Sequence, residues 1–146
     1  MQGLSIMIDK TLIIRKITLI SEDFEALKSL AQLDYEGYAA EPTDEVLAER
    51  YLERMIGRMI DINYHLITEE GHKPPPDYFQ SFLILADIGI LPRDFAEQIA
   101  PCAGLRNRIV HEYDEIDCKK VYEGLQVATR DIPCYLKLIS DFIEKV

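Results

Sequence analysis

Nine consecutive residues, Leu105-Arg106-Asn107-Arg108-Ile109-Val110-His111-Glu112-Tyr113, hold the densest group of chemically capable side chains in the sequence. Arg106 carries a permanent charge, and its planar guanidinium can grip a phosphate oxygen. His111 brings an imidazole, a group that exchanges protons near neutral pH. Asn107 adds a carboxamide and Tyr113 a phenol. A fixed cation beside a proton carrier suits cleavage of RNA without a metal. The histidine would help deprotonate a ribose 2′-hydroxyl or protonate the leaving oxygen, and the arginine would stabilise charge at phosphorus. The same residue types near a helix end also serve as caps and surface pairs, so the pattern alone marks a candidate and no more.

These groups need rigid support. On a helix, Asn107 and His111 are four residues apart and share a face. Arg106 and His111 are five apart, roughly 140° around the axis, a gap a long arginine can span. Leu105, Ile109 and Val110 would anchor the opposite side in the core.

The surrounding pattern is helical nearly throughout. Ile13, Ile17, Ile20, Phe24, Leu27 and Leu30 recur at helical intervals and predict a first helix over about 9–33, with Asp9 as its N-cap. Gly37 and Pro42 punctuate a connector. A second helix follows to about residue 70, capped by Thr43 or Asp44, with Leu47, Tyr51, Leu52, Met55, Met59, Ile62 and Leu66 on its apolar face. Gly71 ends it, and Lys73-Pro74-Pro75-Pro76 reads as a rigid connector. A shorter helix at about 76–88 carries Tyr78, Phe79, Phe82, Leu83 and Leu85 and stops at Gly89. Pro92 suits the first turn of the next helix, and Pro101 must kink or divide that helix. The spacing predicts helices near 92–100 and 101–113, the latter holding the reactive segment. An acidic turn from Asp114 to Asp117 leads to a last helix over about 117–144, bent at Pro133. Its inner face is Val121, Leu125, Ala128, Ile132, Leu136, Ile139 and Ile143. With no β-alternation and no repeat, the expected fold is an all-α antiparallel up-and-down bundle of four main helices with one broken additional helix.

A chain of 146 residues that is 48% hydrophobic suits one domain, 1–146, around one core. Residues 1–6 add little to the first helix, and Met7 is a candidate natural start. The formal net charge of −10 disfavours nonspecific nucleic-acid binding, which runs on phosphate neutralisation. Binding RNA would then need a local basic patch or an oligomer that pools cations from two chains. Arg50, Arg54 and Arg58 form a stripe at four-residue spacing that Asp61 and His65 continue. It reads as a track for RNA phosphates, or as a solvated face with Glu49, Glu53 and Asp61 as partners, the commoner arrangement.

Cys102, Cys118 and Cys134 lie sixteen residues apart with no C-x-x-C pair. No zinc site is expected, and an odd count without a leader suggests reduced, buried or semi-buried thiols and a cytoplasmic home. Asp9, Lys10, Arg15 and Lys16 interrupt the apolar N-terminal stretch, so no membrane span is expected. His72 reads as an exposed loop histidine with no ligand spacing around it. There is no G-x-G-x-x-G, Walker loop or H-E-x-x-H, so no cofactor is expected.

The run Arg106-x4-His111-x-Tyr113 resembles the R-x4-H-x-Y motif of HEPN-domain ribonuclease toxins of the HepT type, and Arg106-Asn107 matches the Arg-Asn pair of that family. Further matches are Asp61 and His65, Gly71 with its prolines, Phe82-x2-Leu85-x3-Gly89, Ala103-Gly104-Leu105, and Ile116-Asp117. The likeness spans about residues 7–145. It implies a HEPN-like helical homodimer whose two motif segments line a shared cleft, and metal-independent endoribonuclease activity. The implied partner is a minimal nucleotidyltransferase antitoxin, which would use ATP and Mg to transfer AMP to the motif tyrosine. Carried over, Arg106 and His111 become catalytic, Asn107 and Tyr113 supporting, and Tyr113 the AMPylation site. Arg54, Arg58 and Arg108 become candidate RNA contacts. Two departures stand against it: Pro101 just before the motif helix would alter how that helix starts, and the acidic Glu112, Asp114 and Glu115 would oppose RNA binding. Two other readings stay open: a catalytically inactive helical dimer that acts as a binding module for the nucleotidyltransferase, and an all-helical adaptor with an accidental motif.

Overall fold

Aspartates start four of the helices by accepting backbone N–H groups that have no partner within the helix. Asp9 takes the N–H of Leu12, Asp34 that of Gly37, Asp77 that of Gln80 and Asp117 that of Lys119. The computed structural model describes residues 8–112 and 116–146. These form α1 (Lys10–Ala31), α2 (Tyr35–Ala40), α3 (Pro42–Glu69), α4 (Tyr78–Asp87), α5 (Arg93–Ile99), α6 (Cys102–His111) and α7 (Cys118–Lys145). No strand occurs among the described residues. The extension at 1–6, the start at Met7, Tyr113 and the acidic pair Asp114 and Glu115 lie outside them.

The all-α bundle is the one the periodicity predicts, with two local differences. The segment read as a connector around Gly37 folds as α2, because the Asp34 side chain caps it and Tyr38 buries fully beneath Tyr122. α3 begins at Pro42 rather than behind a Thr43 or Asp44 cap. Proline suits a first helical position, having no N–H to leave unpaired and a pre-set φ. Elsewhere Gly71, Gly89 and Pro101 act as expected. Gly71 and Gly89 both take positive φ, 86° and 85°, and turn the chain after α3 and α4. Pro101 divides α5 from α6. α7 runs as one helix of 28 residues through Pro133.

α3 is the hub: α1, α2, α4, α6 and α7 all pack on it. Its fully buried side chains include Leu52, Met55, Met59, Ile62 and Leu66, whereas Leu47, near its start, stays exposed. Within this apolar core runs a chain of hydrogen bonds. The Tyr135 hydroxyl lies 2.6 Å from Oδ1 of Asn63 and 3.1 Å from the Met59 carbonyl. Asn63 Nδ2 donates to Ser81 Oγ at 3.0 Å, and Ser81 Oγ donates to the carbonyl of Tyr78 at 2.7 Å. α7, α3 and the first turn of α4 are thereby fixed in register. Burial pushes the Tyr135 phenol well above its ordinary pKa, so it remains a donor.

A second polar clamp joins α1 to α3. Asp23, its side chain only 8% exposed, meets Arg54 Nε at 3.1 Å and Arg58 Nη1 at 2.9 Å. At the other end of α1, the N–H of Asp9 donates to Nε2 of His65 at 3.0 Å, so this histidine holds the start of α1. Of the cysteines, Cys102 and Cys118 are half-buried and Cys134 is exposed, contrary to the expectation of buried or semi-buried thiols. Cys134 falls between Ile132 and Tyr135, which face the core, and so points outward.

Asn63→Leu takes away the shorter of the two acceptors of the Tyr135 hydroxyl, leaving it the Met59 carbonyl alone, and removes the amide that fixes Ser81. A loss of about 2 kcal/mol is expected, since a buried polar group left unpaired costs roughly 1–3 kcal/mol, read as a lower urea midpoint at unchanged slope. Asp23→Ala leaves two arginines without their shared carboxylate. Because both are partly solvated, a smaller loss of about 1–2 kcal/mol is expected by the same measurement.

Candidate functional site

α6 is held from three sides, by α3, α4 and α7. Ala103, Leu105 and Ile109 are buried and Val110 is half-buried, as the anchoring role requires. On the α7 side the contact depends on Gly124, where a Cβ would stand 2.4 Å from Cδ2 of Leu105. α7 thus comes close to α6 one residue before Arg106.

Arg106 turns toward α3 and α4. Its Cζ lies 5.4 Å from the centre of the Tyr78 ring, within the range of a cation–π contact. Its Nε is shielded from solvent and has no hydrogen-bond acceptor among the described residues. The guanidinium borders a recess of about 300 Å³ whose other walls are Gly57, Ile60, Asp61, Tyr64 and Tyr78. Gly57 makes this room, since a Cβ built there meets nothing within 4 Å. The Tyr64 ring stands edge-on to Tyr78 at 5.9 Å, and its hydroxyl is 3.5 Å from the Pro75 carbonyl. Burial, with Tyr78 and Asp77 nearby, pushes the Tyr64 phenol above its ordinary pKa. Asp61 pairs with Lys16 at 3.2 Å.

Asn107, Arg108 and His111 are all exposed. Arg108 and His111 sit in the last turn of α6, where the helix dipole favours positive charge. His111 is not among the walls of the recess that Arg106 borders. Arg106 therefore lines the recess while His111 and Asn107 face outward on the same helix. Tyr113 lies outside the described residues. Arg108 also borders a second cavity of about 240 Å³ between α6 and α7, with Lys120 and the buried Asp131.

Of the other candidates, Arg54 and Arg58 are drawn to Asp23 on α1. That partner differs from the helix neighbours expected for the stripe, although Arg50 does pair with Glu53. His72 is exposed. Among the described residues no three of His, Cys, Asp and Glu converge as metal ligands would, and no helix is long and apolar enough to cross a membrane. Sequence reasoning missed the gathering of Tyr64, Tyr78 and Gly57 around Arg106. The one available signal was a glycine inside a strongly helical stretch, a position where a missing side chain often has a packing reason.

Comparison with known proteins agrees with this picture. The family model described as "Ribonuclease HepT-like" matches residues 20–140. A protein named "tRNA nuclease HepT" from Aphanizomenon flos-aquae (strain 2012/KM1/D3) is 31% identical over 136 residues, covering 93% of this chain and 92% of its own. Among solved structures, the cytosolic protein YutE of Bacillus subtilis superposes with a TM-score of 0.81 at 18% identity, over 94% of this chain and 92% of that one. A tri-AMPylated HEPN toxin of Shewanella oneidensis, solved in complex with MNT antitoxin, superposes with a TM-score of 0.79 at 23% identity, over 89% of this chain and 97% of that one. The two structural likenesses speak to the fold, and the family model and the relative to descent: this chain belongs to the HepT-like ribonuclease family.

Proposed function

We propose that this protein is the toxin of a HEPN/nucleotidyltransferase pair, a metal-independent endoribonuclease that acts as a homodimer in the cytoplasm. The observation that carries the proposal is the state of Arg106. Its guanidinium borders an open recess and is held without a carboxylate among the described residues, which would leave its N–H groups available to a phosphate. Exposed His111 on the same helix supplies the proton carrier. The 2′-oxygen attacks phosphorus and the P–O5′ bond breaks, leaving a 2′,3′-cyclic phosphate and a 5′-hydroxyl. His111 takes the proton of the attacking hydroxyl or gives one to the departing oxygen, and Arg106 stabilises the charge that builds on the phosphoryl oxygens. Asn107, on the His111 face, orients the substrate.

Separation of Arg106 from His111 within one chain supports a site shared between two copies, in which the two α6 segments line one cleft and each copy's His111 completes the other's Arg106 side. Arg108 is the best placed of the candidate RNA-binding arginines, since Asp23 already engages Arg54 and Arg58. The relative named as a tRNA nuclease favours tRNA as substrate. Regulation follows from Tyr113. The antitoxin partner, using ATP and Mg, would join AMP to the phenolic oxygen and release pyrophosphate, setting a bulky anion beside the cleft. This chain itself needs no cofactor in that scheme.

The test is cleavage of total tRNA by purified protein that mass spectrometry shows to carry no AMP, in the presence of EDTA. Wild type should give discrete fragments ending in 2′,3′-cyclic phosphate. Arg106→Ala and His111→Ala should each lower kcat by about 10²-fold or more while remaining folded dimers. Full activity in His111→Ala would remove the acid–base role. Cleavage that EDTA abolishes would remove metal independence.

A further inference from the structure

We propose that Tyr78 is a positioning residue for Arg106, holding the guanidinium by its ring face so that the charge is fixed without a hydrogen bond to any of the described residues. An arginine is usually oriented by a carboxylate, which also neutralises it and occupies its fork. Here the one carboxylate that lines the recess among the described residues, Asp61, is engaged by Lys16 at 3.2 Å. The ring of Tyr78 lies 5.4 Å from Arg106 Cζ, and the buried Nε has no acceptor among the described residues. An aromatic face attracts a cation through its quadrupole and accepts no conventional hydrogen bond, so it orients without competing for phosphate.

The ring is itself held firmly. Tyr64 meets it edge-on, with the ring planes 80° apart. The carbonyl of Tyr78 accepts from Ser81, and Asp77 caps the helix that Tyr78 begins. Yet Tyr78 is 38% exposed, so the core does not need its ring as filling. A partly solvated tyrosine held edge-on by Tyr64 beneath the Arg106 guanidinium is explained by the arginine.

The contact stands independently of any activity, whereas its effect on rate rests on the ribonuclease reading. The experiment therefore has two readouts on wild type, Tyr78→Phe, Tyr78→Trp and Tyr78→Leu. The first is the Nε–H resonance of Arg106, assigned by its loss in Arg106→Lys. It should lie upfield of free arginine and exchange slowly with water in wild type and in the Phe and Trp variants, and return to the free position in Tyr78→Leu. The second is cleavage of total tRNA. Tyr78→Leu should lower kcat roughly ten-fold at an unchanged pH profile, the size of one cation–π contact, and Tyr78→Phe should restore it. A free-arginine resonance in wild type overturns the proposal, also where Tyr78→Leu fails to fold. So does wild-type cleavage by a folded Tyr78→Leu, or a Phe variant as impaired as Leu, which would assign the role to the hydroxyl. If the resonances behave as expected and no protein cleaves RNA, the positioning contact is supported and the ribonuclease reading falls.

Discussion

The hydrogen-bonded chain from Tyr135 through Asn63 to Ser81 is the constraint on which the rest of the arrangement turns. It is the main polar interruption of the apolar core, and it joins three helices that hydrophobic packing alone would leave free to slide. Apolar burial is non-directional, but a buried hydroxyl or amide must find its partner at one distance and angle. The chain ends at the carbonyl of Tyr78, so the register of the core is passed to the residue on which Arg106 rests. α6 is in turn held by Leu105 against the bare backbone of Gly124. Arg106 therefore extends from one fixed helix to another, and its position follows from contacts made deep in the bundle.

This construction separates two kinds of group on one helix. The side of α6 that faces α3 and α4 presents a half-buried charge at the edge of a recess, held in place before anything binds, where an electrostatic contact is stronger than in bulk water. The other side presents Asn107, Arg108 and His111 to solvent. A second copy of the helix is what would bring the two kinds of group together and exclude water from both.

Much of the fold was legible in the sequence because it is local. The three-to-four-residue recurrence of apolar side chains along α1, α3 and α7, the Asp9 cap and the turns at Gly71 and Gly89 are properties of short windows. What was not legible depends on distant pairs. α2 is six residues long, too short to show a period, and its existence rests on Asp34 and on Tyr122 far along the chain. The partner of Arg54 and Arg58 is thirty-odd residues away on α1. His65, matched to a family pattern as a sequence position, proves to hold the backbone of Asp9. At the site, the spacing of Arg106, Asn107 and His111 correctly implied one helix with a packed back. That the arginine would lie over a tyrosine from α4 is a tertiary fact with no sequence period to announce it.

Asp23 has a consequence for how this protein would meet a polyanion. By drawing Arg54 and Arg58 to itself it removes two of the cations that would have projected potential into solvent, on a chain already at −10. Long-range attraction guides a charged partner only where a surface field of opposite sign extends beyond the screening length. Encounter with a polyanion such as RNA would then be slow, and would quicken as salt screens the like-charge repulsion. Selection among RNAs would fall to the fit of one phosphate and its flanking nucleotides at close range, which favours a folded RNA of fixed shape over an arbitrary strand.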